Sequence, residues 1–139
     1  MLVRRAEIRD FDAIVSLDVV AESQERGRIS IQRWIDANDC YVAIDSAEVI
    51  GYAALEYTFY DNAFIPMLYV ASEHRHKEIA TALIHHLESL AATEKIFTST
   101  NESNVPMQSL LSKLGYKPSG IIENLDEGDP ELIFFKRLR

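Results

Sequence analysis

Residues 64–94 read FIPMLYVASEHRHKEIATALIHHLESLAATE, and this run narrows the folds open to the chain more than any other. Residues 64–70 are apolar, too few for a helix and rich in strand formers. Residues 71–77 are a polar loop without proline, carrying His74, Arg75 and His76. Ile79, Leu83, Leu87 and Leu90 then recur at helical spacing on one face. A strand that ends, turns and enters a helix aims first-turn N–H groups and a positive dipole end at the turn, which makes an anion site.

The remaining pattern alternates short strands and helices. Residues 2–6 predict a strand, and Asp10 an N-cap for a helix through Phe11, Ile14, Val15 and Leu17 to about Ala21. Residues 22–28 read as a polar connection, and Ser30 as the cap of a second short helix holding Ile31, Trp34 and Ile35. The stretch between these helices is a candidate substrate-side loop, and a solvated connection would look the same. Residues 40–45 and 49–58 form a hairpin about Ser46, Ala47 and Glu48, with Gly51 as a bulge. Residues 59–62 break the pattern before a third strand, 63–70. Beyond the central helix lie a strand at 96–100 and a helix capped by Asn104. Pro106 sits in its first turn, Leu110, Leu111 and Leu114 face inward, and Gly115 stops it. Residues 116–122 and 132–138 are the arms of a last hairpin around an acidic loop.

The 139 residues predict a single domain, 1–139. With 14 basic against 22 acidic residues and a net charge of −8, duplex nucleic acid is not an expected partner. The lone Cys40 sits among strand formers and reads as a core hydrophobe rather than a nucleophile. The N-terminal stretch lacks an apolar signal region and no apolar run approaches membrane-spanning length, so the expectation is a cytoplasmic protein without membrane contact. His74 and His76 form an H-x-H with no further ligand at metal spacing, so no metal is expected. His85 and His86 flank the apolar stripe as surface residues.

The run Arg75-His76-Lys77-Glu78-Ile79-Ala80-Thr81-Ala82-Leu83 after Val70 resembles the acyl-CoA motif, R/Q-x-x-G-x-G/A, of the GCN5-related N-acetyltransferase (GNAT) family. The tail SGIIENLDEGDPE is similar to that of small bacterial members of unassigned substrate. The order β-α-α-β-β-β-α-β-α-β-β also matches the family over essentially the whole chain. The resemblance implies an α/β fold with a mixed, mostly antiparallel central sheet and helices on both faces. It implies acetyl-CoA as cosubstrate, with Leu68 and Val70 offering backbone groups to the pantetheine and acetyl carbonyl. The phosphates would lie on Arg75, His76, Lys77, Glu78, Ile79, Ala80 and Thr81, and Asn104 would touch the pantetheine arm. The activity implied is transfer of the acetyl group to a primary amine of a small molecule or peptide. Attack would be direct in a ternary complex, because no cysteine is placed as a nucleophile. A homodimer is a further expectation.

Three positions depart from the family pattern. Glu78 replaces the first glycine, Leu111 the tyrosine acid, and Pro66 the strand carboxylate base. Substitute groups are Glu56 and Tyr57, with the alternatives of an edge residue and a packing residue. Tyr60, Asp126 and Glu127 are candidates for substrate binding, the last two on an acidic rim suited to a cationic amine. These departures motivate a second reading, an acyl-CoA-binding regulatory module of the same fold with little or no catalysis.

Overall fold

The computed structural model describes residues 1–74 and 78–139. The elements are β1 (Leu2–Arg5), α1 (Phe11–Leu17), α2 (Val19–Ser23), α3 (Glu25–Asp36), β2 (Cys40–Asp45), β3 (Glu48–Phe59), β4 (Asn62–Val70), α4 (Ile79–Leu90), β5 (Lys95–Asn101), α5 (Val105–Lys113), β6 (Lys117–Ile122) and β7 (Glu131–Arg137). Short 3-10 turns occupy Ile8–Asp10 and Ser72–His74. The strands form a seven-stranded sheet in the order β1-β2-β3-β4-β5-β7-β6. The β4–β5 pair is parallel, whereas β1–β2, β2–β3, β5–β7 and β6–β7 are antiparallel, which is the mixed sheet expected. Two units divide the chain, Met1–Leu55 with Met67–Ser89 and Glu56–Pro66 with Leu90–Arg139.

In the first unit, adjacent β3 residues face opposite ways. Tyr52 and Ala54 join a core with Ile14, Ala21, Ile31, Trp34 and Ile35 from α1, α2 and α3. Gly51 faces α4 instead. A Cβ there would lie 3.0 Å from the Tyr69 carbonyl oxygen and 3.3 Å from Ile79 Cγ2, so helix and strand meet where a side chain is missing. The bulge expected at Gly51 lies one residue earlier, since Ala43 pairs with Gly51 and Ile44 with Val49, leaving Ile50 as the extra residue.

The helical segment differs from the sequence reading in three ways. The first helix is broken at Asp18, whose carboxylate caps a new one, α2, by accepting from the N–H of Val20 and Ala21. Residues 22–28 are not a connection, because α3 begins at Glu25 and Ser30 lies inside it. Gly27 makes this possible, since a Cβ there would stand 2.8 Å from Ala21 Cα and force α2 and α3 apart. Finally, Asp10 occupies the N-cap position of α1 without making a side-chain cap bond.

The Asp10 carboxylate is instead held by both Arg4 guanidinium nitrogens, at 2.8 and 3.0 Å, and by the Glu7 N–H at 2.7 Å. The hydrogen-bonded Arg4 keeps this carboxyl below the ordinary carboxylate range, against the opposing pull of burial. A depressed folded pKa stabilises above the unfolded value, about 3.9, and the benefit is lost as pH falls through the folded value. Arg4→Gln is therefore expected to lower urea stability most near neutral pH. Its deficit against wild type should narrow below about pH 4. A deficit of constant size from pH 7 to 3 would show that the pair does not titrate as described.

In the second unit, the parallel ladder covers Ala63–Ile96, Phe64–Phe97 and Ile65–Thr98. Pro66 follows and has no N–H to donate, and the Thr98 hydroxyl donates to the Ile65 carbonyl at 3.0 Å. One sheet face carries a row of phenylalanines: Phe59 stacks on Phe64 at 5.1 Å, Phe97 lies 5.1 Å from Phe59, and Phe135 lies 5.9 Å from Phe97. Ala63, Ile65, Ile96, Leu111, Tyr116 and Phe134 are also buried in this unit.

Candidate functional site

In the first unit, Leu68 and Val70 lie at the end of β4, with Tyr69 between them. The chain passes through the 3-10 turn, where the His74 N–H donates to the Ala71 carbonyl at 2.8 Å. The His74 Nδ1 is buried and has no hydrogen-bond partner among the described residues. Arg75, His76 and Lys77, expected on the phosphates, lie outside the described residues. Glu78 is exposed and adopts φ +59°, the left-handed conformation that favours glycine. Its carbonyl accepts from the Ala82 N–H at 3.1 Å, so Ile79, Ala80 and Thr81 form the first turn of α4, ahead of that bond. Ile79 is buried at 3% exposure, and Ala80 and Thr81 are half-buried.

Beside Tyr69, on the face opposite α4, lies a groove of about 380 Å³. Ser16 and Leu17 of α1 and Val19 of α2 form one wall, and Glu48, Tyr69, Ser72 and Glu73 form much of the rest. Asp18, between Leu17 and Val19, is 3% exposed and accepts the Tyr52 hydroxyl at 2.5 Å. The Tyr52 ring centroid is 6.5 Å from that of Tyr69. Burial, then the Asp18 hydrogen bond, push the Tyr52 phenol far above its ordinary range, so it donates at any working pH. The sequence reading missed this brace. Its signal was Asp18 ahead of two valines, an N-cap hidden inside an apparently continuous helix.

The second unit holds the other candidates. Glu56 is half-buried and accepts from the Thr58 hydroxyl at 2.9 Å. The Tyr57 hydroxyl accepts from the Ala92 N–H at 3.1 Å. Tyr60 is 85% exposed at a two-residue turn, with φ +51° and the ring set edge-on to Phe59. Asn104 caps α5 by accepting from the Met107 N–H at 3.2 Å. Leu111 is a core residue at 2% exposure, and Pro66 is half-buried.

The acidic loop is tied down. Asn101 Nδ2 donates to Asp126 at 2.9 Å and to Glu131 at 3.2 Å, while the Ser103 N–H and hydroxyl donate to Asp129. Glu127 is exposed. Asp126 and Asn104 thus meet at one hub, since the Asn104 N–H donates to the Asn101 carbonyl at 2.9 Å. Among the described residues no cluster of three or more His, Cys, Asp or Glu could hold a metal ion. No described helix is long and apolar enough to cross a membrane. Burial pushes the Cys40 thiol up to about 12.

Strand β4 and helix α4 stand together in a chain whose seven strands form one mixed sheet. Residues 5–116 match the acetyltransferase (GNAT) family, and the chain belongs to it. No curated protein matches the chain. A GNAT-family acetyltransferase from Bacillus cereus ATCC 10987 is 36% identical, with a TM-score of 0.91 over 98% of this chain and 96% of that one. An aminoglycoside 6'-N-acetyltransferase complexed with coenzyme A superposes with a TM-score of 0.81 at 16% identity, covering 100% and 98% of the two chains. A ribosomal-protein-alanine N-acetyltransferase from Brucella melitensis has a TM-score of 0.81 at 18% identity and 99% coverage of both. These last two share the fold. Acetyl transfer is the activity class that family membership carries.

Proposed function

We propose that the protein moves an acetyl group from acetyl-CoA to a primary amine of a small molecule or peptide, by direct attack in a ternary complex. The observation that carries this reading is the backbone at Glu78. Its φ of +59° lies in the left-handed region that glycine favours, at the position where the motif it resembles carries glycine. The first-turn N–H groups of Ile79, Ala80 and Thr81 suit a pyrophosphate, and the His74 Nδ1, which has no partner among the described residues, suits a polar ligand at the loop's entry. Arg75, His76 and Lys77 would add positive charge. Asn104 would reach the pantetheine arm with the amide group that its cap bond leaves over.

When bound, acetyl-CoA supplies an activated thioester. Backbone groups at Leu68 and Val70 would orient and polarise its carbonyl. The acceptor nitrogen bonds to the acetyl carbon while the carbon–sulfur bond breaks and its electron pair goes to sulfur. An ammonium acceptor gives up two protons in all, one to the thiolate and one to solvent. A thiol's ordinary pKa, about 8.5, lets sulfur leave without a dedicated acid, which Leu111 cannot supply. The Cys40 thiol, buried and held protonated, supports direct attack over a covalent route. Glu56 is the candidate base, acting through water.

A second reading, an acyl-CoA-binding module with little catalysis, is favoured by one observation: the Tyr57 hydroxyl is engaged by a main-chain N–H. Calorimetric titration with acetyl-CoA, then CoA release with an amine panel, separates the two. Saturable binding with turnover is the expected result. Saturable binding without turnover for any amine would establish the module, and no binding would overturn both.

A further inference from the structure

The groove beside Tyr69 has a definite chemistry. Its lining includes the acidic residues Glu48 and Glu73 and the hydroxyl-bearing residues Ser16, Tyr69 and Ser72, and among the described residues that line it none is cationic. The Glu73 carboxyl lies below its ordinary range through a hydrogen bond from its own backbone and one from Ser72, so it is ionised at neutral pH. The concavity is built rather than incidental. Tyr69 on one side neighbours Tyr52, Tyr52 donates to buried Asp18, and Asp18 fixes the junction whose flanking residues, Leu17 and Val19, form the opposite wall.

Tyr69 also stands between Leu68 and Val70 on β4. Tyr69 lines the groove, and the backbone on either side of it is the stretch assigned above to the acetyl carbonyl. A groove of about 380 Å³ accommodates a small molecule and not a folded partner.

We propose that this groove seats the acceptor, and that the acceptor is a small amine bearing a second cationic group. One nitrogen, deprotonated, is acetylated at β4; the other stays an ammonium held by the Glu48 and Glu73 carboxylates. This assignment rests on the transferase reading above.

The test compares butane-1,4-diamine with butylamine, probes that differ in the second ammonium alone. With wild type, kcat/KM for the diamine is expected to exceed that for butylamine about tenfold or more, the effect of one charge-assisted contact. Glu73→Gln and Glu48→Gln should each raise KM for the diamine several-fold, leave butylamine unchanged, and leave KM for acetyl-CoA unchanged. Both substitutions are at exposed positions, so folding is not at issue. Calorimetric titration of the diamine into CoA-saturated protein reads the groove independently of turnover. Equal use of the two amines, with acetyl-CoA turned over normally, would overturn the groove assignment and leave the transferase reading standing. Diamine binding weakened by Glu73→Gln, without turnover, would uphold the groove and overturn the transferase reading. No diamine binding and no diamine turnover would overturn the groove assignment whatever acetyl-CoA does.

Discussion

Asp18→Ala is expected to cost the fold about 3 kcal/mol, read as a drop in urea midpoint with unchanged slope. The carboxylate serves the first-turn N–H groups of α2, at 3.0 and 3.3 Å, and the Tyr52 hydroxyl, at 2.5 Å. Losing a cap costs about 1 kcal/mol. Orphaning a buried hydroxyl adds about 1–3 kcal/mol, and Tyr52 is 1% exposed, so water cannot replace the partner. Tyr52→Phe should cost less, about 1–2 kcal/mol, because Asp18 keeps its backbone donors. The double variant should be more stable than the sum of the single losses implies, since each variant breaks the same bond. A cost below about 1 kcal/mol for Asp18→Ala would mean that the brace does not organise the α1–α2 junction.

Glu78→Gly is expected to bind acetyl-CoA about tenfold more tightly than wild type, equivalent to about 1.4 kcal/mol. Two causes act in the same direction. The side chain takes up space that a glycine hydrogen would leave open for a phosphate approaching the backbone. The carboxylate also stands at the mouth of the proposed phosphate site, where its charge opposes an anion. In the free protein the same carboxylate favours the helix N-terminus by about 0.3–1 kcal/mol, so the thermal midpoint of the glycine variant should move little. Glu78→Ala separates the causes, since it removes the charge and keeps a Cβ at the backbone. If Ala and Gly bind alike, charge alone accounts for the gain. If neither binds more tightly than wild type, the loop does not hold the phosphates.

The central strand and helix were legible because their apolar spacing is regular and local. Asn104 could be read as a cap because asparagine before a helix has few other uses. The misread segment, 22–30, failed for a different reason. Helix α3 opens with Glu25, Arg26, Gly27 and Arg28, whose polarity resembles a loop, and what holds its start is the approach of Gly27 to Ala21. Asp18 was passed over because a charged residue in a helical pattern is usually on the solvated face, whereas here it is buried. The left-handed turn at Glu78 has no signal in its side chain. The engagement of Tyr57 by Ala92 spans 35 residues, a contact that no local pattern encodes.

The acidic loop between β6 and β7 looks interchangeable in sequence, a string of Asp, Glu, Gly and Pro. Its hydrogen bonds make it a docked part instead: Asn101 and Ser103 grip Asp126, Asp129 and Glu131. A loop transplanted here from another acetyltransferase would lose this grip unless those carboxylates came at the same spacing. Conversely, this loop grafted onto a relative would stay unmoored unless Asn101 and Ser103 travelled with it. Exchanges of this loop within the family therefore have to move the end of β5 and the loop together, as one cassette.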